Sequence, residues 1–231
     1  MLDFSADEIE AVRLSLRVAF WAMLVSLPFG VGAAMLLTRA RFWGQSLFDG
    51  VVHLPLVMPP VVTGYLLLLL LGRHGPLGRI LADNFGIVFA FRWTGAALAS
   101  AVMGFPLLVR AIRLSLETVD RRLEEAAATL GARGILVFLL ITLPLISPGI
   151  VAGIVLSFAR SLGEFGATIT FVSNIPGETR TLPLAIYTLT QSPGGDPAAL
   201  RLTIVAVLLS IAALIASETL ARHMSRRLSG E

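Results

Sequence analysis

The sequence predicts an all-α polytopic membrane protein with five transmembrane helices. Composition comes first. Of 231 residues, 56% are hydrophobic and only 14% charged, with a mean hydropathy of +0.84. A soluble domain carries roughly 25% charged residues, so there is too little charge here to cover a water-facing globule. Next, the apolar residues gather in runs long enough to cross about 30 Å of hydrocarbon as helices. Finally, the runs are continuous rather than alternating. That excludes a closed barrel, the other structure that satisfies its backbone in lipid. The length suits a single membrane domain over residues 1–231.

The elements follow in order. The opening "MLDFSADEIE" is acidic and lacks a basic n-region, so it does not read as a cleavable signal peptide. The spans are expected at about 18–38, 54–71, 94–112, 138–160 and 202–221. Pro28, Gly30 and Gly32 are expected to break the first; Pro55, Pro59, Pro60 and Gly64 crowd the second. Arg17 starts the first span and Glu218 nears the end of the fifth, where each can snorkel. Arg92 and Trp93 precede the third as an interfacial anchor pair. Pro144, Pro148, Gly149 and Gly153 punctuate the fourth. Proline removes a backbone donor and kinks a helix. In membranes such breaks persist where neighbours or a water-lined cavity take up the freed carbonyls. Breaks in three separate spans point to a moving or channelled bundle. Small residues spaced by four, Ala96, Ser100 and Gly104, then Gly149 and Gly153, allow helices to pack closely. Residues 161–199 are too polar for a span. They read as an outer-leaflet hairpin or short helices, with a simple external loop as the alternative. Arg160 and Glu164, four apart, are placed to pair.

Orientation follows from arginine. Segments 39–53, 110–134 and 222–231 hold ten arginines in about 50 residues. Segments 1–15, 72–93 and 159–201 hold seven in about 80. The richer side is expected to be cytoplasmic, with the N-terminus outside and the C-terminus inside.

Several function classes are excluded. The chain has no cysteine, hence no disulfide, thiolate metal site or thiol nucleophile. All eighteen basic residues are arginine, so there is no P-loop lysine and no ATP hydrolysis through that motif. The net charge of +3 is scattered, which speaks against a nucleic-acid partner. No span carries a central Asp, Glu, His or Lys, against the pattern of secondary transporters and proton pumps. His53, His74 and His223 lie far apart at loop edges and read as interface residues. No catalytic residue, metal or cofactor is expected, and the chain is not expected to be an enzyme.

The loop at 113–134 is the longest and most charged on the arginine-rich side. "LETVDRRLEEAAATLG" reads as a helix capped by Thr118 and stopped by a left-handed Gly131. Leu123, Ala126, Ala127 and Leu130 lie near one face, with nothing adjacent in sequence to bury them. The helix either lies on lipid headgroups or docks into a groove on another protein.

Here the residues carry a resemblance. Glu125-Ala126-Ala127, then Gly131, Ile141 and Leu143-Pro144, resemble at every position and spacing the EAA loop of ABC importer permeases. Residues 53–78 and 161–195 resemble the molybdate permease branch, with sulfate permeases as near neighbours. The resemblance implies a type I ABC importer permease fold with a cytoplasmic coupling helix, in the bacterial inner membrane. It implies a homodimer of this chain, surrounded by lipid, with a dimeric cytoplasmic ABC ATPase and a periplasmic molybdate-binding protein. The implied ATPase-coupling residues are Glu125, Ala126, Ala127, Gly131, Ile141, Leu143 and Pro144. The implied cargo is molybdate, with sulfate, thiosulfate or tungstate as alternatives. From polarity and span position, Thr63, Gly64, Ser100, Ser157 and Thr168 are candidate pathway residues. A neutral lining suits conduction, because a fixed cation would trap a dianion.

Overall fold

The computed structural model describes residues 4–229, and among them every regular element is helical. Helix α1, Ala6–Arg39, opens on a capping box. Ser5 Oγ accepts from the Glu8 amide, and the Ser5 amide donates to Glu8 Oε2. At 34 residues it extends well beyond the expected 18–38. Pro28 does not break it; the helix runs through. Its glycines serve packing instead, since a Cβ on Gly30 would stand 2.6 Å from Leu108 Cδ2.

The second expected span is two helices. These are α2, Gln45–Val57, and α3, Pro60–Leu71, bent by 116° at Met58–Pro59. Two successive prolines remove two amide donors and fix extended backbone at the joint. At 13 and 12 residues, each half is only about 20 Å long. Neither half crosses about 30 Å of hydrocarbon alone.

After α4, Pro76–Phe85, comes α5, Trp93–Thr118. It is the central helix: 61% of its most apolar stretch is buried, against 33% for α1. Arg17 does not simply reach for the headgroups, because its guanidinium stacks 3.8 Å from the Trp93 ring centroid.

Helix α6, Arg121–Thr129, is shorter than expected. Thr118 does not cap it: that residue ends α5, where its hydroxyl donates to the Ser115 carbonyl. The cap is Asp120, whose carboxylate accepts from the Arg122 amide. The fourth span rises through α7, Gly134–Val137, a π-helical turn at Phe138–Thr142, and α8, Leu143–Leu162. The widened turn sits just before Pro144, which cannot donate within the helix. Pro148 likewise frees the Pro144 carbonyl, and Ser147 Oγ donates to it at 2.7 Å.

The 161–199 segment is not a loose loop. It holds α9, Gly166–Val172, and α10, Leu182–Thr190, and Phe171, Val172 and Leu184 are fully buried. The expected Arg160–Glu164 pair forms at 2.6 Å, and Glu164 Oε1 accepts from the Ala167 amide at the start of α9. Helix α11, Asp196–Ser229, contains the fifth expected span.

Three apolar clusters hold the bundle. Leu14 and Val18 of α1 meet Met103 of α5 and Phe171 of α9. Ala34 and Leu37 of α1 meet Leu108 and Ile112 of α5 and Ile146 of α8. Ala11 of α1 meets Leu182 of α10 and Leu202 of α11. The buried carboxylate of Glu8 also takes two hydrogen bonds from Arg201, tying the starts of α1 and α11. The outer faces of α3, the π turn, α8 and α11 stay apolar and exposed, among them Tyr65, Leu69, Leu140, Leu156, Leu208 and Leu214. Such faces suit lipid or a neighbouring helix, not water.

Candidate functional site

The α6 segment is the part of the chain built to face outward. None of its residues is buried, and Leu130, which follows it, is 89% exposed. Its C-terminus is a Schellman turn: the Gly131 amide donates to the Ala128 carbonyl and the Ala132 amide to the Ala127 carbonyl. Gly131 sits at φ +85°, as that turn requires, with no atom within 4 Å of where a Cβ would be.

A helix of nine residues is too short to be stable on its own in water. It is held at its base. Glu124 Oε1 accepts from Arg39 Nη2 at 2.8 Å and from Thr142 Oγ1 at 2.7 Å. One carboxylate thus joins α6 to the end of α1 and to the π turn below α8. Arg121 Nη2 also donates to the Thr38 carbonyl.

The motif residues divide into two groups. Glu125 and Ala126 are exposed, Ala127 is half-buried, and the Glu125 side chain has no hydrogen bond or ion pair among the described residues. Ile141 and Leu143 are half-buried and Pro144 exposed at the foot of α8. The motif pointed to Glu125, while the residues that fix the loop are Glu124, Arg39 and Thr142. Thr142, buried and lying between Ile141 and Leu143, is the residue sequence reasoning passed over. A hydroxyl in an otherwise apolar turn was its only signal.

The candidate pathway residues are all buried within the chain. Ser100 and Ser157 lie on the α5–α8 contact: Ser161 Oγ reaches the Ser100 carbonyl, and a Cβ on Gly104 would stand 2.7 Å from Ser157 Oγ. Thr63, Gly64 and Thr168 lie at the α3–α9 contact, where a Cβ on Gly64 would meet the Ala167 carbonyl at 2.5 Å. The hydroxyls of Thr63, Ser100, Ser157 and Thr168 have no hydrogen-bond partner among the described residues. Many other hydroxyls in the bundle bond back to the preceding turn, as Thr170 does to the Gly166 carbonyl and Thr203 to the Ala199 carbonyl, although the buried Thr181 does not. Buried polar groups are nearly always paired, so this seam is unusual.

A multi-pass helical bundle with a broken span and an outward-facing loop helix defines the class: a polytopic helical membrane protein. The chain belongs to the family described as binding-protein-dependent transport system inner membrane component, which matches residues 26–230. It is 62% identical over 223 residues to the molybdenum transport system permease protein ModB of Escherichia coli (strain K12), covering 96% of this chain and 97% of that one. The protein of the same name from Haemophilus influenzae is 58% identical over 221 residues, 96% of each chain. The sulfate transport system permease protein CysT of Salmonella typhimurium is 37% identical over 222 residues, 96% of this chain and 79% of that one. Among solved structures, a bacterial ABC transporter involved in the import of the acidic polysaccharide alginate superposes with a TM-score of 0.70 at 21% identity, covering 97% of this chain and 80% of that one. An amino acid ABC transporter superposes at 0.60 and 17%, covering 96% and 94%. At these identities the structural likeness establishes the fold alone. The fold is that of ABC importer permeases, and the chain is an inner-membrane, multi-pass permease.

Proposed function

We propose that this chain is the transmembrane subunit of an ATP-driven molybdate importer. It works as a homodimer with a dimeric cytoplasmic ATPase and a periplasmic molybdate-binding protein. The observation that carries the coupling half of this reading is α6, a helix with no buried residue that is pinned at its base and bare at its tip. Glu125, Ala126, Ala127 and Gly131 form the surface for the ATPase. Ile141, Leu143 and Pro144 join that surface to α8. ATP-driven closure of the ATPase pair draws the two α6 helices together. The Glu124 link carries that movement into α1 and the π turn, and so shifts the bundle between its two states.

The substrate half is supported by the 62% and 58% identity to chains named for molybdenum transport, against 37% to the sulfate chain. Thr63, Gly64, Ser100, Ser157 and Thr168 form the pathway. Hydroxyls without protein partners can donate to an oxyanion as the α3–α9 and α5–α8 contacts part, and their neutrality lets it leave. Reconstituted with its ATPase and binding protein, the chain is expected to drive ATP-dependent molybdate uptake that excess tungstate blocks. Competition by sulfate at equal concentration would move the assignment to the sulfate branch.

The α6 end is cytoplasmic in this reading. Because the chain has no native cysteine, Ser192→Cys is expected to react with an impermeant thiol reagent in intact cells and Ser229→Cys only after permeabilisation. The reverse pattern inverts the orientation.

A further inference from the structure

Helices α1, α2 and α5 leave between them an apolar groove of about 720 Å³. Val25, Phe29 and Leu36 of α1 line one wall, Val51 and Pro55 of α2 another, and Val102 of α5 the floor. From Val25 to Leu36 is eleven residues, about 16 Å along a helix. That is the depth of one leaflet, half of about 30 Å.

The groove does not end in more apolar surface. One turn further along α1 is a polar cavity of about 570 Å³ lined by Thr38, Arg39, Arg41, Gln45 and Arg121. Arg39 is neutralised by Glu124. Arg41 and Arg121 have no ion-pair partner among the described residues, and Arg121 meets only the Thr38 carbonyl. The cavity therefore keeps two positive charges. Trp43, beside them, is wholly exposed at 101%. An exposed tryptophan next to arginines is the usual marker of the membrane–water interface.

An apolar slot one leaflet deep with a cationic cavity a turn beyond it along α1 has the shape and charge of one kind of molecule. We propose that it binds an anionic phospholipid, with an acyl chain along α1 and α2 and the phosphate between Arg41 and Arg121. Charge sets the choice of occupant. An apolar helix of a second copy could fill the slot but would leave Arg41 and Arg121 without a counter-charge, whereas a phosphodiester neutralises them. The cavity adjoins the Arg39–Glu124 pair that anchors α6, so a headgroup there touches the base of the proposed coupling helix.

The test titrates the full chain, in detergent micelles, with dioleoyl phosphatidylglycerol or dioleoyl phosphatidylcholine and counts bound lipid by native mass spectrometry. Phosphatidylglycerol is expected to bind saturably and at least tenfold tighter. Arg41→Gln should weaken it about fivefold, the contribution of one cation near an anionic headgroup, and leave phosphatidylcholine unchanged. Gly32→Phe should abolish saturable binding by filling the slot, since nothing in the chain stands within 4 Å of a Cβ there. Equal affinity for the two lipids overturns the proposal, as does phosphatidylglycerol binding that neither variant changes. Loss of self-association in Gly32→Phe with lipid binding intact would assign the groove to a second copy instead.

Discussion

Two loops at opposite ends of the bundle follow opposite plans. Residues 173–181 turn inward. Thr179 is fully buried, its hydroxyl accepting from the Ile175 amide and donating to the Ser173 carbonyl. Arg180 bonds Asn174, Asn174 bonds Thr188, and Glu178 accepts from the Trp93 amide at the start of α5. Most of this segment's polar groups are satisfied within the chain; the buried Thr181 hydroxyl is the exception among the described residues. Residues 119–133, at the other end of α5, are held at their base: Glu124 and Arg121 tie α6 to α1 and the π turn, while Glu125, Ala126 and Leu130 stay exposed. The difference teaches how to tell a structural loop from a docking loop. A loop that exists for the fold closes its hydrogen bonds on itself; a loop built for a partner leaves a formed but uncovered surface.

The comparison can be broken by mutation. The largest expected effect is at Gly131. Valine at φ +85° is strained by roughly 1–2 kcal/mol and distorts the Schellman turn, while open space around the site spares the rest of the fold. Gly131→Val should insert normally and melt near the parent temperature, yet fail to co-purify with the ATPase, with uptake at background. Normal co-purification and uptake would place α6 on the headgroups rather than in a partner.

Thr179→Val should show the opposite profile. It leaves the Ile175 amide without its acceptor at a part-buried site, at a cost of about 1–2 kcal/mol. Thermal stability in detergent should fall, while ATPase association of the folded fraction stays at the parent value. A change in association without a change in stability would erase the distinction between the two loops.

The two neighbouring glutamates sharpen it further. Glu124→Ala removes a part-buried ion pair and the Thr142 bond, together about 1–2 kcal/mol. ATPase affinity should drop roughly tenfold because α6 loses its base. Glu125→Ala touches nothing in the chain, so stability should not move. Affinity should fall only about fivefold, the worth of one polar contact at an interface. Titration of the labelled ATPase against each variant separates them, and a larger effect at Glu125 than at Glu124 would mean that the partner, not the base, holds α6 in place.

What the sequence by itself determined is what depends on a residue and its near neighbours. Hydropathy over about twenty residues placed the helices in a membrane, because the cost of burying charge in lipid is summed locally. The stop at Gly131 was legible because only a residue without a side chain accepts positive φ cheaply. The prolines marked the joint at Met58–Pro59 but not its 116° angle, and at Pro28 they predicted a break where α1 in fact runs through. Tertiary structure alone decided the rest. Which of two adjacent glutamates turns inward depends on Arg39, 85 residues away, and Thr142, 18 away, since successive side chains on a helix point about 100° apart. Burial of 161–199 is equally nonlocal. Polar composition suggested an outer-leaflet hairpin or short helices, and α9 and α10 are short helices; that Phe171 and Leu184 are fully buried depends on α3 and α5 packing on α9 and α1 and α11 on α10.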